Sequence, residues 1–409
     1  MEKTDFTKIK ALALSYVEYL LSVRRDLHAH PELGLNEFHT AELIECQLDS
    51  FKIPHERVGK TGVLGILKGN LPDSAEKKTI LLRADIDALP IFEQNDIPYK
   101  SQTPGVMHAC GHDVHTTSLL GAAKILSALK DSFAGEIRLV FQSAEEIGKG
   151  AGDFIAAGVL EGVDRAFGLH CAPDFPCGTV VTKPGLNNAA VDQFRIKVHG
   201  KSSHVSTPQL GIDALYIASQ IVVSLQAIVT RRTSPVEPVI IGVGKMNAGT
   251  TYNALAETAE LEGTTRTVSA ESRAFVRAEV TKVVEQTATL YGGKAKIEWD
   301  ECCPVVFNHT GVTEEVKQIV EELLGKGHAT DKRPLSLGGD NFADFIQTVP
   351  GMYAYLGTSN KDKEGTSFPI HNGHFNVDED ALIYGSALYA SYALWFLNEG
   401  KKEVEGSKQ

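Results

Sequence analysis

Short apolar runs alternate with helix-period stretches through the first 170 positions. Runs at 62–67, 79–83, 136–141 and 165–169 have the length and bounding residues of buried strands. Between the second and third, 114–129 is apolar nearly all round, the pattern of a buried helix. Strands separated by helices imply βαβ units and a largely parallel sheet. The texture changes near Asn187. Positions 191–198 alternate apolar and polar, 212–229 has a helical period, and 239–243 and 256–267 are strand-like. A helix pattern covers 272–290 and a strand pattern 295–299. The order β, α, β, β, α, β over about 110 residues is ferredoxin-like. A helix at 312–324, a strand at 352–356, a loop at 371–374 and a closing helix at 380–397 follow. The expected fold is therefore α/β. Residues 1–186 and 304–409 build a mixed, largely parallel sheet flanked by helices, and 187–303 form an inserted ferredoxin-like α+β domain. There is no internal repeat, and the polar tail from Glu399 is expected to fray.

The residues that follow the strands add chemistry to this outline. Asp85 follows the second, Glu145 and Glu146 the third, and His170 the fourth. Ligands of open α/β sheets bind beyond the carboxyl ends of the strands, so three strand ends deliver metal-type groups to one sheet edge. The densest cluster is Met107-His-Ala-Cys-Gly-His-Asp-Val-His115. A lone His or Cys is more often a core or surface residue than a ligand. Here the spacing argues otherwise. Cys110 and His112 lie two apart, which in an extended segment directs both to one side. Gly111 between them permits a sharp turn. Donors to hold a Lewis acid, beside a carboxylate able to take a proton from water, are what metal-assisted hydrolysis requires.

Composition narrows the class. A chain of 409 residues favours two domains. With 43% hydrophobic and 22% charged residues it is an ordinary globular sequence. A net charge of −12 and the lack of any useful Lys/Arg run argue against nucleic acid. No signal peptide opens the sequence, and no stretch approaches the roughly 18 apolar residues of a membrane span. Six scattered Cys suit a reducing compartment, so a cytoplasmic protein is expected. Cys302 and Cys303 lack local donor partners and are expected to be buried thiols.

Six segments together resemble a known family: Arg25–Glu32, Arg83–Pro90, His108–Asp113, Ala144–Glu146, Gly168–His170 and Gly263–Arg266. They are similar to those of the metal-dependent aminoacylases and amidohydrolases, which include hippurate hydrolases, auxin-conjugate hydrolases and N-acyl-amino-acid deacylases. The motifs run in order from about residue 20 to 395. The resemblance implies a two-metal catalytic domain with an inserted lid and dimerisation domain. It implies metal ligands Cys110, His112, Glu146, His170 and His371, with Glu145 as general base. His374 lies three residues from His371, and position within the motif favours the latter. Asp85 and Asp113 are expected to orient His ligands. Adjacent residues at a strand end point in opposite directions, so Glu145 and Glu146 need not share a task.

In the inserted domain, Ser202-Ser-His204 followed by Thr207-Pro208 is similar to the family segment Gly-Gly-His-x-x-x-Pro. There the His reaches the partner subunit's site and stabilises the oxyanion. Here Ser replaces both Gly, and Gln209 stands where His is common. Asn253 and Arg266 look like a substrate-facing polar pair, with Arg266 set to grip a free carboxylate. A salt bridge from Arg266 to Glu260 or Glu262 is the competing role. A further departure is Gly338-Gly339-Asp340-Asn341-Phe342, where the family usually has Glu-Asp-Phe after a small residue. The implied protein is a homodimeric hydrolase of small N-acyl amino acids, holding two divalent ions of zinc, manganese or cobalt type. The alternatives are an aminopeptidase or dipeptidase of related architecture, and a metal-dependent binding protein on a retired hydrolase scaffold. Retention of Glu145 beside a full donor set speaks against the last.

Overall fold

The central strand Thr79–Asp85 is buried along its whole length, its apolar Ile80-Leu-Leu82 and Ala84 suiting a strand covered on both faces and its buried Arg83 and Asp85 paired with each other. The computed structural model describes residues 4–72 and 77–401. Its contacts divide the chain into two units, one of residues 1–185, 307–334 and 341–409, the other of 186–306 and 335–340. The return of 335–340 to the second unit is not foreseen by a single contiguous insertion.

The first unit carries an eight-stranded sheet. Its order is His55–Val58, Gly62–Lys68, Glu136–Gln142, Thr79–Asp85, Arg165–Pro176, Gly351–Ser359, Val180–Val181, Ala329–Thr330. The four strands from Glu136–Gln142 to Gly351–Ser359 are mutually parallel, and antiparallel strands flank them. Helix His112–Ala128 crosses the sheet and packs on the closing helix Ala381–Asn398. The crossing is close because small residues meet there. A Cβ on Gly121 would lie 2.2 Å from Ser386 Oγ, and one on Gly385 2.5 Å from Ser118 Oγ. Three helices precede the sheet, Phe6–Ser15, Val17–Ala29 and Phe38–Ser50, and bury Ile9, Leu20, Leu27, Ile44 and Leu48 in the same core. The strand-first pattern of the sequence leaves these helices unassigned. The tail does not fray at once: Glu399 accepts a hydrogen bond from the Thr4 amide and the Lys401 carbonyl one from Arg165. The remainder lies outside the described residues.

The second unit has four antiparallel strands in the order Lys294–Cys303, Ala190–His199, Thr258–Thr267, Ile240–Ala248. Helices Ala214–Arg231 and Ala270–Leu290 complete the β, α, β, β, α, β order of a ferredoxin-like fold. They pack Ile217, Ile221, Leu225, Val276, Val280 and Val284 on Phe194, Ile196, Val198 and Leu261. Helix Ala214–Arg231 is, by length and composition, apolar enough to cross a membrane, which corrects the expectation that no stretch comes close. Its apolar positions serve this small core on one side and stay exposed at Leu215, Tyr216 and Val223 on the other. A second correction concerns Cys302. Only Cys303 is buried: the register shifts between Glu301 and Cys303, so Cys302 is the extra residue of a β-bulge while Cys303 pairs with Val191.

Candidate metal centre

Parallel register sets the floor of the site. Asp85 pairs with Gln142, and Arg83 with Gly168. Two residues beyond the second pairing, Asp85 and His170 come level at the carboxyl edge. The fully buried Arg83 ties these strand ends together. It donates to Gln142 Oε1 at 2.9 Å, Asp85 Oδ2 at 2.6 Å and Asn341 Oδ1 at 3.1 Å. Burial by itself would raise the Asp85 carboxyl. The facing His112, Arg83 and His115 outweigh it and hold the group well below the usual range.

The three histidines of the 107–115 segment have three different tasks. His115 Nδ1 lies 2.6 Å from Asp85 Oδ1, and its Nε2 accepts the Cys171 amide at 2.8 Å. Both ring nitrogens are engaged, so His115 is a buttress and not a donor. His108 is buried with no partner among the described residues on either ring nitrogen, and burial pushes it down to about 3. It is therefore neutral and stays outside the donor groups. His112 keeps Nδ1 3.3 Å from Asp87 Oδ1 and Nε2 3.8 Å from Glu146 Oε1, with no well-formed hydrogen bond at either nitrogen.

Cys110 and His112 do not lie on an extended segment, as the sequence suggested. Gly111 takes a left-handed conformation, φ 89°, and His112 opens the helix. That turn, which a Cβ would block 2.8 Å from Cys171 Sγ, is what brings both side chains to one place. His170 donates Nδ1–H to the Cys171 carbonyl at 2.7 Å, leaving Nε2 unprotonated 3.4 Å from Cys110 Sγ. A second hydrogen bond of this kind is the usual way of fixing a metal-binding imidazole. Burial, helped by His115, holds His170 neutral, its value well below the ordinary one.

Glu145 and Glu146 sit in a short 3-10 turn, not at an extended strand end. The turn begins at Ala144 with φ 56°, a strained conformation for a residue with a Cβ. Both carboxylates consequently face His112, in contrast to the expected opposite directions. Asp87 holds the turn: its two carboxylate oxygens accept the amides of Glu145 and Glu146, each at 3.1 Å. The same carboxylate faces His112, so Asp87 does the orienting work expected of Asp113. Asp113 turns away and binds Arg24 at 3.0 Å and His28 at 2.8 Å. The Asp-x-Asp spacing of Asp85 and Asp87 was the signal for this role. Glu145 Oε1 faces the Asn341 amide at 3.4 Å, and Asn341 Nδ2 donates to the Lys149 carbonyl at 2.7 Å. An Asp at 341 could not make that second bond.

His371 completes the group. It has φ 63°, and its amide donates to the Ala109 carbonyl at 2.7 Å, bringing Nε2 to 3.4 Å from Glu146 Oε1. His374 instead lies against the Phe368 ring at 5.2 Å. Among the described residues, Cys110, His112 and His170 form one set with donor atoms within 4.8 Å of each other, and Cys110, Glu146 and His371 another. The two sets share Cys110. The chemistry fits cations. Burial and the Glu146 carboxylate push the Cys110 thiol well above its ordinary range, and a cation beside it is what makes the thiolate form. Glu146 Oε1 is buried with no hydrogen bond among the described residues.

The second unit holds the other three sequence candidates. Backbone bridging of His204 to Ala254 brings His204 beside Asn253 across about fifty residues of sequence. His204 is exposed, with Nδ1 at 2.7 Å from Ser206 Oγ. Arg266 lies near the far end of the same ladder. Thr258 pairs with His199 and Arg266 with Val191, a run of roughly 25 Å along the strand. Asn253 and Arg266 of one chain therefore do not act as an adjacent pair. Arg266 bonds Thr264 and the Thr265 carbonyl. Glu262 pairs with Arg195 and Lys245 instead. Among the described residues no carboxylate pairs with Arg266, and its half-burial lowers its value.

Comparison with known proteins follows the same outline. Residues 81–395 match the model of peptidase family M20/M25/M40. The chain is similar to thermostable carboxypeptidase 2 of Saccharolobus solfataricus, 38% identical over 397 residues, covering 96% of this chain and 99% of that protein. It is similar to N-acetyl-L-cysteine deacetylase of Bacillus subtilis, 39% identical over 391 residues, covering 95% and 89%. A solved Bacillus subtilis structure, described as a dinuclear metal-binding peptidase of the M20 family, superposes with a TM-score of 0.78 at 35% identity, covering 94% and 99%.

Proposed function

The chain belongs to peptidase family M20/M25/M40, and from that membership we propose that it hydrolyses the amide bond of N-acyl amino acids, releasing a carboxylic acid and a free amino acid. The observation that carries this is the paired Glu145–Glu146 turn, held by Asp87 against two donor sets that share Cys110. The deacetylase relative acts, by its name, on such a substrate.

Cys110, His112, His170, Glu146 and His371 would hold two divalent ions, as in the dinuclear relative. The thiolate favours Zn²⁺, and the mixed nitrogen and oxygen donors also accept Mn²⁺ or Co²⁺. Ions there supply Lewis acidity to the amide carbonyl and to the attacking water. Glu145 takes the proton of that water on a carboxylate oxygen as the tetrahedral centre forms. It then returns the proton to the leaving nitrogen. Asp87 keeps the base in place, and Asn341 N–H steadies its Oε1.

Arg266 binds the free α-carboxylate of the substrate, its half-buried guanidinium having no carboxylate partner among the described residues. His204 donates to the developing oxyanion. The separation of His204 and Asn253 from Arg266 along one sheet supports a homodimer in which the two ends serve different sites. The edge strand Ile240–Ala248 offers unpaired backbone groups for such pairing.

A carboxypeptidase reading has its own support in the Saccharolobus relative. It concerns the same bond, since the last residue of a peptide is an N-acyl amino acid whose acyl group is the rest of the chain. The test is turnover of N-acetyl amino acids, their carboxamides, blocked dipeptides and free dipeptides by metal-loaded protein. Acids should be cleaved and amides not, with Arg266→Ala erasing the difference. A charge-assisted pair of about 1.5–3 kcal/mol puts roughly 10- to 150-fold at stake. Cleavage of free dipeptides alone would overturn the proposal in favour of an aminopeptidase or dipeptidase.

A further inference from the structure

Asp26, His30 and His39 stand together on the surface of the first unit, and none of them belongs to the donors described above. Asp26 lies in helix Val17–Ala29, His30 just past its end, and His39 in the first turn of helix Phe38–Ser50. His30 Nδ1 is 3.2 Å from Asp26 Oδ1, and His39 Nε2 is 3.5 Å from Asp26 Oδ2. One donor atom from each residue lies within 4.8 Å of the other two. The imidazole centroids are 5.0 Å apart with the rings at 60°.

The ordinary account is a surface Asp–His pair, worth about 0–1 kcal/mol, with His30 Nδ1 also 2.9 Å from the Asp26 carbonyl at the helix end. Two features exceed it. One carboxylate is faced by two imidazoles, one just past the end of its own helix and one in the next helix, one on each oxygen. The frame is also set independently of these side chains. Glu32 accepts the His39 and Thr40 amides at 3.1 and 2.9 Å, which fixes the start of the second helix. Metal bonds of 2.0–2.2 Å in a tetrahedral site put neighbouring donor atoms about 3.3 Å apart. The two measured separations are of that size, one to each carboxylate oxygen, so an ion between the rings engages Asp26 through both oxygens or after a small rotation of its carboxylate.

We propose that Asp26, His30 and His39 form a third divalent-cation site, open to solvent and suited to Zn²⁺ or Cu²⁺. Two imidazole nitrogens and a carboxylate oxygen are donors of that class, and solvent completes the shell. Binding displaces the Nδ1 proton of His30 and its bond to the Asp26 carbonyl, so the site is weaker than the buried one. An ion here joins the end of one helix to the start of the next around loop 30–37. That loop carries Glu37, which accepts the Ala144 amide at 2.8 Å.

The proposal is independent of the reading of the buried centre. Its test is Zn²⁺ bound per chain after equilibrium dialysis of the tag-free protein, measured by atomic emission. The count is taken as a difference between variants, so it does not depend on how many ions the buried donors hold. Wild type should bind one equivalent more than His39→Ala. Asp26→Asn should lose the same equivalent, and this near-isosteric change carries the comparison if His39→Ala folds poorly. Added Zn²⁺ should also raise the melting temperature of wild type more than that of either variant. Equal counts and equal Zn²⁺-induced shifts in all three proteins would overturn it.

Discussion

Glu37 accepts the backbone N–H of Ala144 at 2.8 Å, at the residue whose left-handed backbone starts the Glu145–Glu146 turn. The carboxylate is fully buried, and its other oxygen accepts Thr61 Oγ at 2.6 Å. A residue far from the donors in sequence thus holds the strained position that aims them. Glu37→Ala would leave a buried amide unpaired, at about 1–3 kcal/mol. It should lower the urea midpoint and reduce kcat roughly 10-fold or more while metal content survives. Glu37→Gln keeps an acceptor for the amide and should be much milder. A kcat that stays normal in Glu37→Ala despite lost stability would confine Glu37 to the fold.

Glu145→Gln preserves size but cannot take a proton. Bound metal should be unchanged and kcat should fall by roughly 10²-fold or more. Near-normal turnover would remove Glu145 from the reaction.

Cys110 is common to both donor sets, whereas Cys302 lies on the second unit. Cys110→Ala should lower bound metal and abolish activity, and Cys302→Ala should do neither. Equal sensitivity of the two would indicate general destabilisation.

Glu379 gives a pH signature. Burial by itself would raise its carboxyl, but Arg25 and Arg24, at 2.6 and 3.0 Å, outweigh burial and hold it below the ordinary range. A depressed carboxyl stabilises the fold above its unfolded value, about 4.3. That contribution disappears as pH falls through the folded value. Glu379→Gln should therefore melt below wild type at pH 7, and the gap should close in acid. A gap that is the same at pH 3 and pH 7 would mean that the ion pair contributes nothing.

Shared sites can be tested by mixing two inactive chains, His204→Ala and Glu145→Gln. In a mixed dimer one site receives both defects and the other neither, so activity should partly return. Failure to recover activity despite proven subunit exchange, or a fully active monomer, would return His204 to an ordinary loop residue.

Apolar period was enough to place the strands that carry Asp85 and His170 and the strand that leads into Glu145, because buried parallel strands are rich in apolar residues. It was not enough for the three helices between residues 6 and 50, whose apolar stripes are mixed with many charges. The candidate donors were legible as residue type and spacing. Orientation was not. The Asp87 and Asp113 carboxylates look alike in sequence, and only the hydrogen bonds show that one faces His112 while the other pairs with Arg24 and His28. For Asn253 and Arg266 the signal was present but unused: the strand expected over 256–267 already sets Arg266 about a strand length away from Asn253.

The short stretch 335–340 has a consequence for how the protein could be cut. Ser336 exchanges backbone hydrogen bonds with Asn187 and Ala189, both at 3.0 Å. A fragment ending at 306 would therefore lack the backbone partner of Asn187 and Ala189 and expose those peptide groups. Five residues after Ser336 comes Asn341, whose amide faces the carboxylate of Glu145. The link from Ser336 to Asn341 is thus short, and glycines inserted into it would loosen the Asn341–Glu145 contact without changing a single candidate donor.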